Sequence, residues 1–129
     1  MISIDSDCII DFLRGKEAAI NIVEKYKNEL VTTEINIFEI FNGLFLNKNK
    51  KDDEEQKTND FFESLDILDS TGFGLKGAAI FSSLIKNGNE IDQNDCLIAA
   101  VLLNNGCDKI ITRNVKDFSK IKNLKIISY

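Results

Sequence analysis

Met1-Ile2-Ser3-Ile4-Asp5-Ser6-Asp7-Cys8-Ile9-Ile10-Asp11-Phe12-Leu13-Arg14-Gly15 opens the chain with a strand that passes directly into a helix. A short apolar run stops on Asp5. A helical pattern begins at once, with Ser6 or Asp7 as N-cap and Cys8, Ile9, Phe12 and Leu13 at helical spacing. A carboxylate therefore stands where a first strand hands over to a first helix, and in open α/β sheets that edge is where ligands bind.

The chain has 129 residues, enough for one domain with its own core. No apolar run is long enough to span a membrane, and the N-terminus lacks the basic and small-residue pattern of a signal peptide, so a cytoplasmic protein is expected. Cys8, Cys96 and Cys107 are odd in number and without metal-ligand spacing, which argues for small buried side chains over disulfides. The most informative feature is an absence: there is no histidine. That excludes histidine acid–base chemistry, Ser-His-Asp and Cys-His pairs, and His-containing zinc sites. Any catalysis must run on carboxylates, with or without a metal, and oxygen ligands select hard cations such as Mg²⁺ or Mn²⁺. The net charge of −5 does not advertise nucleic-acid binding, although an acidic metal site contributes negative charge that bound cations cancel.

Proline is absent, so glycine and asparagine punctuate the chain. Residues 16–27 predict a second helix with Ala19, Ile20, Val23 and Tyr26 on one side, and residues 30–33 a strand. Residues 34–46 predict a helix apolar nearly all round, hence buried. A polar loop at 47–53, a charged helix at 54–65 and a short strand at 66–69 follow. Ser70 reads as the cap of a helix from about Thr71 to Lys86, whose first turns Gly72, Gly74 and Gly77 weaken. Residues 92–103 form an apolar helix closed by Asn104-Asn105-Gly106; 109–112 a strand; 114–120 a turn or short helix; 124–128 a last strand. This alternation predicts an α/β fold with a central parallel sheet of four to five short strands flanked by helices, all strand C-termini on one edge.

Four acids can reach that edge. Asp5 ends the first strand, where a turn or N-cap acid is an equally good reading. Glu39 lies mid-helix among apolar residues with no charge partner at i±3 or i±4; burying it unpaired is costly, so it needs a cation or a cleft. Asp92 and Asp95 share one side of a helix start, and either satisfies the helix dipole; Asp95, nearer the packed part, is the site candidate. Asp117 follows the strand Lys109–Thr112, a common place for a turn acid. Clustered carboxylates repel unless cations compensate, and one or two divalent ions there would activate water against a phosphodiester.

The stretch Ile4–Gly15 resembles the opening of PIN-domain proteins, in particular VapC-type toxins. Glu39 fits the acid after the second strand. Asn87-Gly88, Ile91 and Asp95-Cys96-Leu97-Ile98-Ala99-Ala100 resemble a second family stretch, and Thr112-Arg113-Asn114-Val115-Lys116-Asp117-Phe118 a third. The match runs in order over essentially the whole chain. It implies a three-layer PIN-like fold and a Mg²⁺- or Mn²⁺-dependent endoribonuclease acting on RNA such as tRNA or mRNA. It also implies a homodimer and a cognate antitoxin that blocks the pocket. By position Asp5, Glu39, Asp95 and Asp117 would be the acidic quartet, with Ser6 beside the first acid and Asn114 a polar neighbour that rivals Asp117 as fourth ligand. Asp7 stands where the family most often has Asn, making it an extra ligand or acceptor. Arg14, Arg113 and Lys116 flank the pocket as candidates for RNA phosphate contacts, with solvated surface charge an equal reading.

Rival readings differ at particular residues. Asp5-Ser6-Asp7 also resembles the start of haloacid-dehalogenase phosphatases, with Asp5 as nucleophile and Asp7 as acid/base, but a helix follows where a flap is expected. A PIN-domain RNA-processing or binding protein that is not a toxin is a further alternative. A signalling receiver domain would place Lys where Thr112 stands.

Overall fold

The computed structural model describes residues 1–129. Five strands and seven helices alternate along it: β1 (Ile2–Ile4), α1 (Ser6–Leu13), α2 (Glu17–Tyr26), β2 (Leu30–Thr32), α3 (Glu34–Leu46), α4 (Glu54–Glu63), β3 (Asp66–Ile67), α5 (Phe73–Lys86), α6 (Gln93–Asn104), β4 (Lys109–Ile111), α7 (Val115–Phe118) and β5 (Lys125–Ile127). All strand pairs are parallel, in the order β3-β2-β1-β4-β5.

Two-residue alternation splits the sheet's side chains between two apolar layers. On β4, Ile110 joins Ile98, Leu102 and Phe118 from α6 and α7, while Ile111 joins Ile9, Ala19, Ile40 and Phe61 from α1–α4. Both faces are covered, so all three residues of β1, Ser3 included, are buried. The chain winds outward from β1 to β3, then returns through α5 and α6 to β4 on the other side of β1. The winding reverses between β1 and β4, so their C-terminal ends flank the crevice where doubly wound sheets bind ligands.

The structure corrects several expectations. The N-cap of α1 is Asp5 itself, and its side chain makes no capping bond because it is turned into the crevice. Helix α3 is not buried all round: Phe38, Phe45 and Leu46 are exposed, as is Ile20 on α2. Helix α5 starts at Phe73 behind Gly72 rather than behind Ser70; Gly72 has φ +80°, a left-handed conformation glycine adopts without a Cβ penalty. Strand β3 keeps only Asp66 and Ile67, both exposed on the sheet edge. The three cysteines are free and buried, as expected. Burial pushes the Cys8 thiol up to about 12 and that of Cys96 up to about 11, which keeps both protonated and unreactive.

Candidate active site

The crevice is built by short hand-overs from strand to helix. Asp5 follows β1 with its backbone N–H bonded to the Ile111 carbonyl of β4, so its carboxylate lies at the switch point. It is 7% exposed. Its Oδ2 accepts from the Thr112 hydroxyl at 2.8 Å and its Oδ1 from the Asn36 amide at 3.3 Å. Burial, then the charge of Asp7, push its carboxyl up to about 6.

Asn36 is the buried hub of the site. Thr33 caps α3 by accepting from the Asn36 backbone N–H, and its hydroxyl donates to Asn36 Oδ1 at 2.7 Å, which fixes which way the amide points. One amide hydrogen then serves Asp5 and the other the Ser6 hydroxyl at 3.0 Å. Ser6 in turn donates to Glu39 Oε1 at 2.9 Å. Glu39 is half-buried from its place on α3; burial raises its pKa, the Ser6 hydroxyl and Asn94 pull it back, and Asp92 and Asp7 add to the rise.

The other half hangs on Asn114. Its two amide hydrogens reach Asp95 Oδ2 and Asp117 Oδ2, each at 3.2 Å, and its backbone N–H donates to Thr112 Oγ1 at 3.0 Å. Asp95 is half-buried in the first turn of α6. Burial first, then the charges of Asp5, Asp92, Glu39 and Asp117, push its carboxyl up to about 7. Asp92 is the exposed N-cap of α6 and accepts from Asn94 N–H at 2.7 Å, so it closes the helix end and leaves Asp95 to the crevice.

Asp7 Oδ2 accepts from the Arg113 backbone N–H at 2.9 Å and lies 3.2 Å from the Thr112 hydroxyl. That hydroxyl has one proton to offer two carboxylates, and Asp5 is the nearer. Arg113 extends outward: its guanidinium pairs with buried Asp11 at 3.1 Å, beside the Tyr129 hydroxyl at 2.7 Å and Lys16 at 3.0 Å. Burial pushes the Asp11 carboxyl up, but these donors and charges outweigh it and leave it below the usual range. The knot ties the chain's last residue and the β4–α7 turn to the middle of α1.

Asp5, Asp7, Glu39, Asp95 and Asp117 are thus joined in one web, through Ser6, Asn36, Thr112 and Asn114, and Asp92 stands outside it. The neutral donors carry it: none of the ion pairs includes Asp5, Glu39, Asp92, Asp95 or Asp117. No three acidic side chains close into a ready-made coordination shell. Within the web Asp7 alone has a cation within reach, Arg113 Nε at 3.9 Å; the carboxylates of Asp5, Glu39, Asp95 and Asp117 offer oxygens without a protein counter-ion, a set that fits a hard cation. Of the expected basic neighbours, Arg113 is engaged with Asp11. Lys116 is exposed beside Asp117, and Arg14 is exposed on a groove of about 280 Å³ that runs from Glu39 between α1, α3 and α4. Thr33 and Asn36 escape a reading of the sequence alone. Their signal is the Thr33-x-x-Asn36 spacing, a polar cap and a polar third residue at the mouth of an apolar helix.

No helix is long and apolar enough to cross a membrane. No curated protein matches the sequence. Solved structures do match. A chain of the VapBC2 complex from Rickettsia felis, bound to a DNA fragment from its promoter, is 22% identical with a TM-score of 0.87 over 100% of this chain and 99% of that one. One from the DNA-bound VapBC of Salmonella typhimurium is 19% identical with a TM-score of 0.82 over 99% and 98%. One from VapBC-1 of nontypeable Haemophilus influenzae is 23% identical with a TM-score of 0.80 over 99% and 98%. At these identities the likeness is one of fold. The PIN domain family model matches residues 2–124, and the chain belongs to the PIN domain family.

Proposed function

We propose that this protein is a divalent-metal-dependent endoribonuclease, the toxin of a VapBC-type toxin–antitoxin pair. The observation that carries the reading is the cluster of Asp5, Glu39, Asp95 and Asp117 at the β1–β4 switch point, whose carboxylates take part in no ion pair and are met by neutral hydrogen-bond donors. Asp5, Glu39, Asp95 and Asp117 would hold one or two Mg²⁺ or Mn²⁺ ions. Bound there, such an ion lowers the pKa of a water and offsets charge on the phosphodiester under attack. The chain's own part is positioning. Asn114 fixes Asp95 and Asp117 against each other, and Asn36 with Ser6 fixes Asp5 and Glu39. Asp7 completes the pocket by holding the Arg113 backbone.

The partner reading draws on the neighbours, which are toxin–antitoxin complexes, and on this chain's surface. Phe38, Phe45 and Leu46 are exposed on α3, the helix that carries Glu39. Apolar exposure of this kind favours a covering partner, here a cognate antitoxin. A phosphatase working through Asp5 and Asp7 draws no support, because Asp5 is enclosed by Asn36 and Thr112 and Asp7 is bonded to the Arg113 turn.

The test is cleavage of total RNA and a tRNA pool with Mg²⁺, with Mn²⁺ and with EDTA, alongside Asp5→Asn and Asp95→Asn. Cleavage that needs the metal and is lost in both variants is the expected result. Hydrolysis of a small phosphate ester with no RNA cleavage would replace the reading with the phosphatase.

A further inference from the structure

On the α5–α7 side of the sheet lies a second groove, of about 370 Å³, between the outer face of α5 and the segment that leads from α7 to β5. Its polar lining is Lys76, Ser83, Asn87 and Asn89 on one wall and Lys120, Lys122 and Asn123 on the other, over an apolar floor. No carboxylate lines it, and none of the three lysines takes part in an ion pair. In a chain of net charge −5 this is a local reversal of sign. Both walls are joined to the acidic crevice by short stretches of chain. Lys120 lies three residues after Asp117, and Asn89 three before Asp92. Three residues reach at most about 11 Å, so Lys120 is within that distance of Asp117 and Asn89 within it of Asp92, the cap of the helix that carries Asp95.

We infer that this groove is a track for a single-stranded RNA backbone running to or from the acidic crevice. The inference rests on the nuclease reading for its substrate, though its binding is measurable without cleavage. Charge selects the occupant. Lysines act as point charges for phosphates and suit a backbone read without sequence. Amides at Asn87, Asn89 and Asn123 add donors and acceptors for sugar or base edges, and the apolar floor accepts an unstacked base. The acidic crevice repels the same backbone unless cations are present, so an anchoring surface outside it is what the substrate needs.

Fluorescence anisotropy of a labelled single-stranded RNA oligonucleotide, titrated with the full chain in EDTA across a salt series, reads the groove alone. The triple variant Lys76→Gln/Lys120→Gln/Lys122→Gln should weaken binding roughly tenfold at low salt. It should also lower the log–log salt slope by about 2, at about 0.7 for each phosphate that is no longer neutralised. A charge-matched control, Lys25→Gln/Lys48→Gln/Lys51→Gln, should leave both unchanged. Native-like affinity and slope in the groove variant would overturn the inference, as would a native chain that binds no RNA. So would a groove variant whose only change is weaker self-association, because the occupant would then be a second copy. Cleavage read in parallel separates the two claims. Full cleavage by a groove variant with native RNA affinity removes the track and leaves the nuclease. Lysine-dependent RNA binding with no cleavage in any metal removes the nuclease and leaves the track.

Discussion

Without cations the acidic crevice should make the chain less stable as pH rises from about 4 to 7, and the sign follows from how each state binds protons. Asp5 has an ordinary pKa of 3.8 unfolded and about 6 in the crevice, so the folded state holds its proton more tightly. Its stabilisation is complete below pH 3.8 and is lost as pH rises through about 6. That displacement corresponds to about 3 kcal/mol, a large share of the roughly 5–15 kcal/mol that holds a domain together. Asp95 extends the loss toward pH 7 with the same sign, reduced by its solvent exposure. Asp11, whose carboxyl is lowered, acts with the opposite sign but below pH 3.8, so the two effects separate. Thermal or urea denaturation in EDTA at a series of pH values is the assay. Stability should be greatest on the acid side, near pH 4–5, and fall by about 3 kcal/mol or more by pH 7.5. Asp5→Asn should flatten that fall and raise Tm at pH 7.5 even as activity is lost. Mg²⁺ or Mn²⁺ at about a hundred times its dissociation constant should restore about 2.7 kcal/mol. Stability that is flat or rising between pH 4.5 and 7.5 in EDTA would mean that Asp5 carries no raised pKa in the folded chain.

Other outcomes test the parts. Asn36→Ala strips a partner from Asp5, Ser6 and Thr33 together and should cost roughly 3 kcal/mol in urea denaturation; a cost under about 1 kcal/mol would remove it as the hub. Asn114→Ala should keep the fold but lower metal affinity or kcat by about 10–100-fold, because it releases Asp95 and Asp117 from each other. Gly77→Val should destabilise by about 2 kcal/mol; a Cβ there already stands 2.7 Å from Leu97 Cδ2, and the added methyls force α5 off α6. Gly77→Ala should be much milder, since the end of Leu97 can rotate and alanine favours the helix.

Much of the fold was legible because its signals are local. The apolar run into Asp5, the polar start and glycine end of α6, and the strand Lys109–Ile111 each carry their own punctuation. That Asp5, Glu39, Asp95 and Asp117 would come together was legible because a carboxylate next to an apolar run conflicts with burial unless something answers it. The web that answers it was not legible. Asn36 and Thr33 look like ordinary helix-mouth residues until β2 and β1 pair and bring Asp5 and Ser6 within reach. The exposure of α3 failed for a related reason: Phe38, Phe45 and Leu46 record that a helix is apolar, not whether its own chain covers it. The start of α5 depended on one left-handed residue among several glycines, a choice made by the path from β3 rather than by the local sequence.

The most direct measurement is a calorimetric titration of Mn²⁺ into the native chain, Asp5→Asn and Asp95→Asn, repeated in buffers of different ionisation enthalpy at pH 6 and 8. Binding at the carboxylate cluster should release protons at pH 6, because Asp5 and Asp95 carry them there, release fewer at pH 8, and weaken in both variants. Mn²⁺ binding that is absent, or that is unchanged in both variants, would contradict a metal site there.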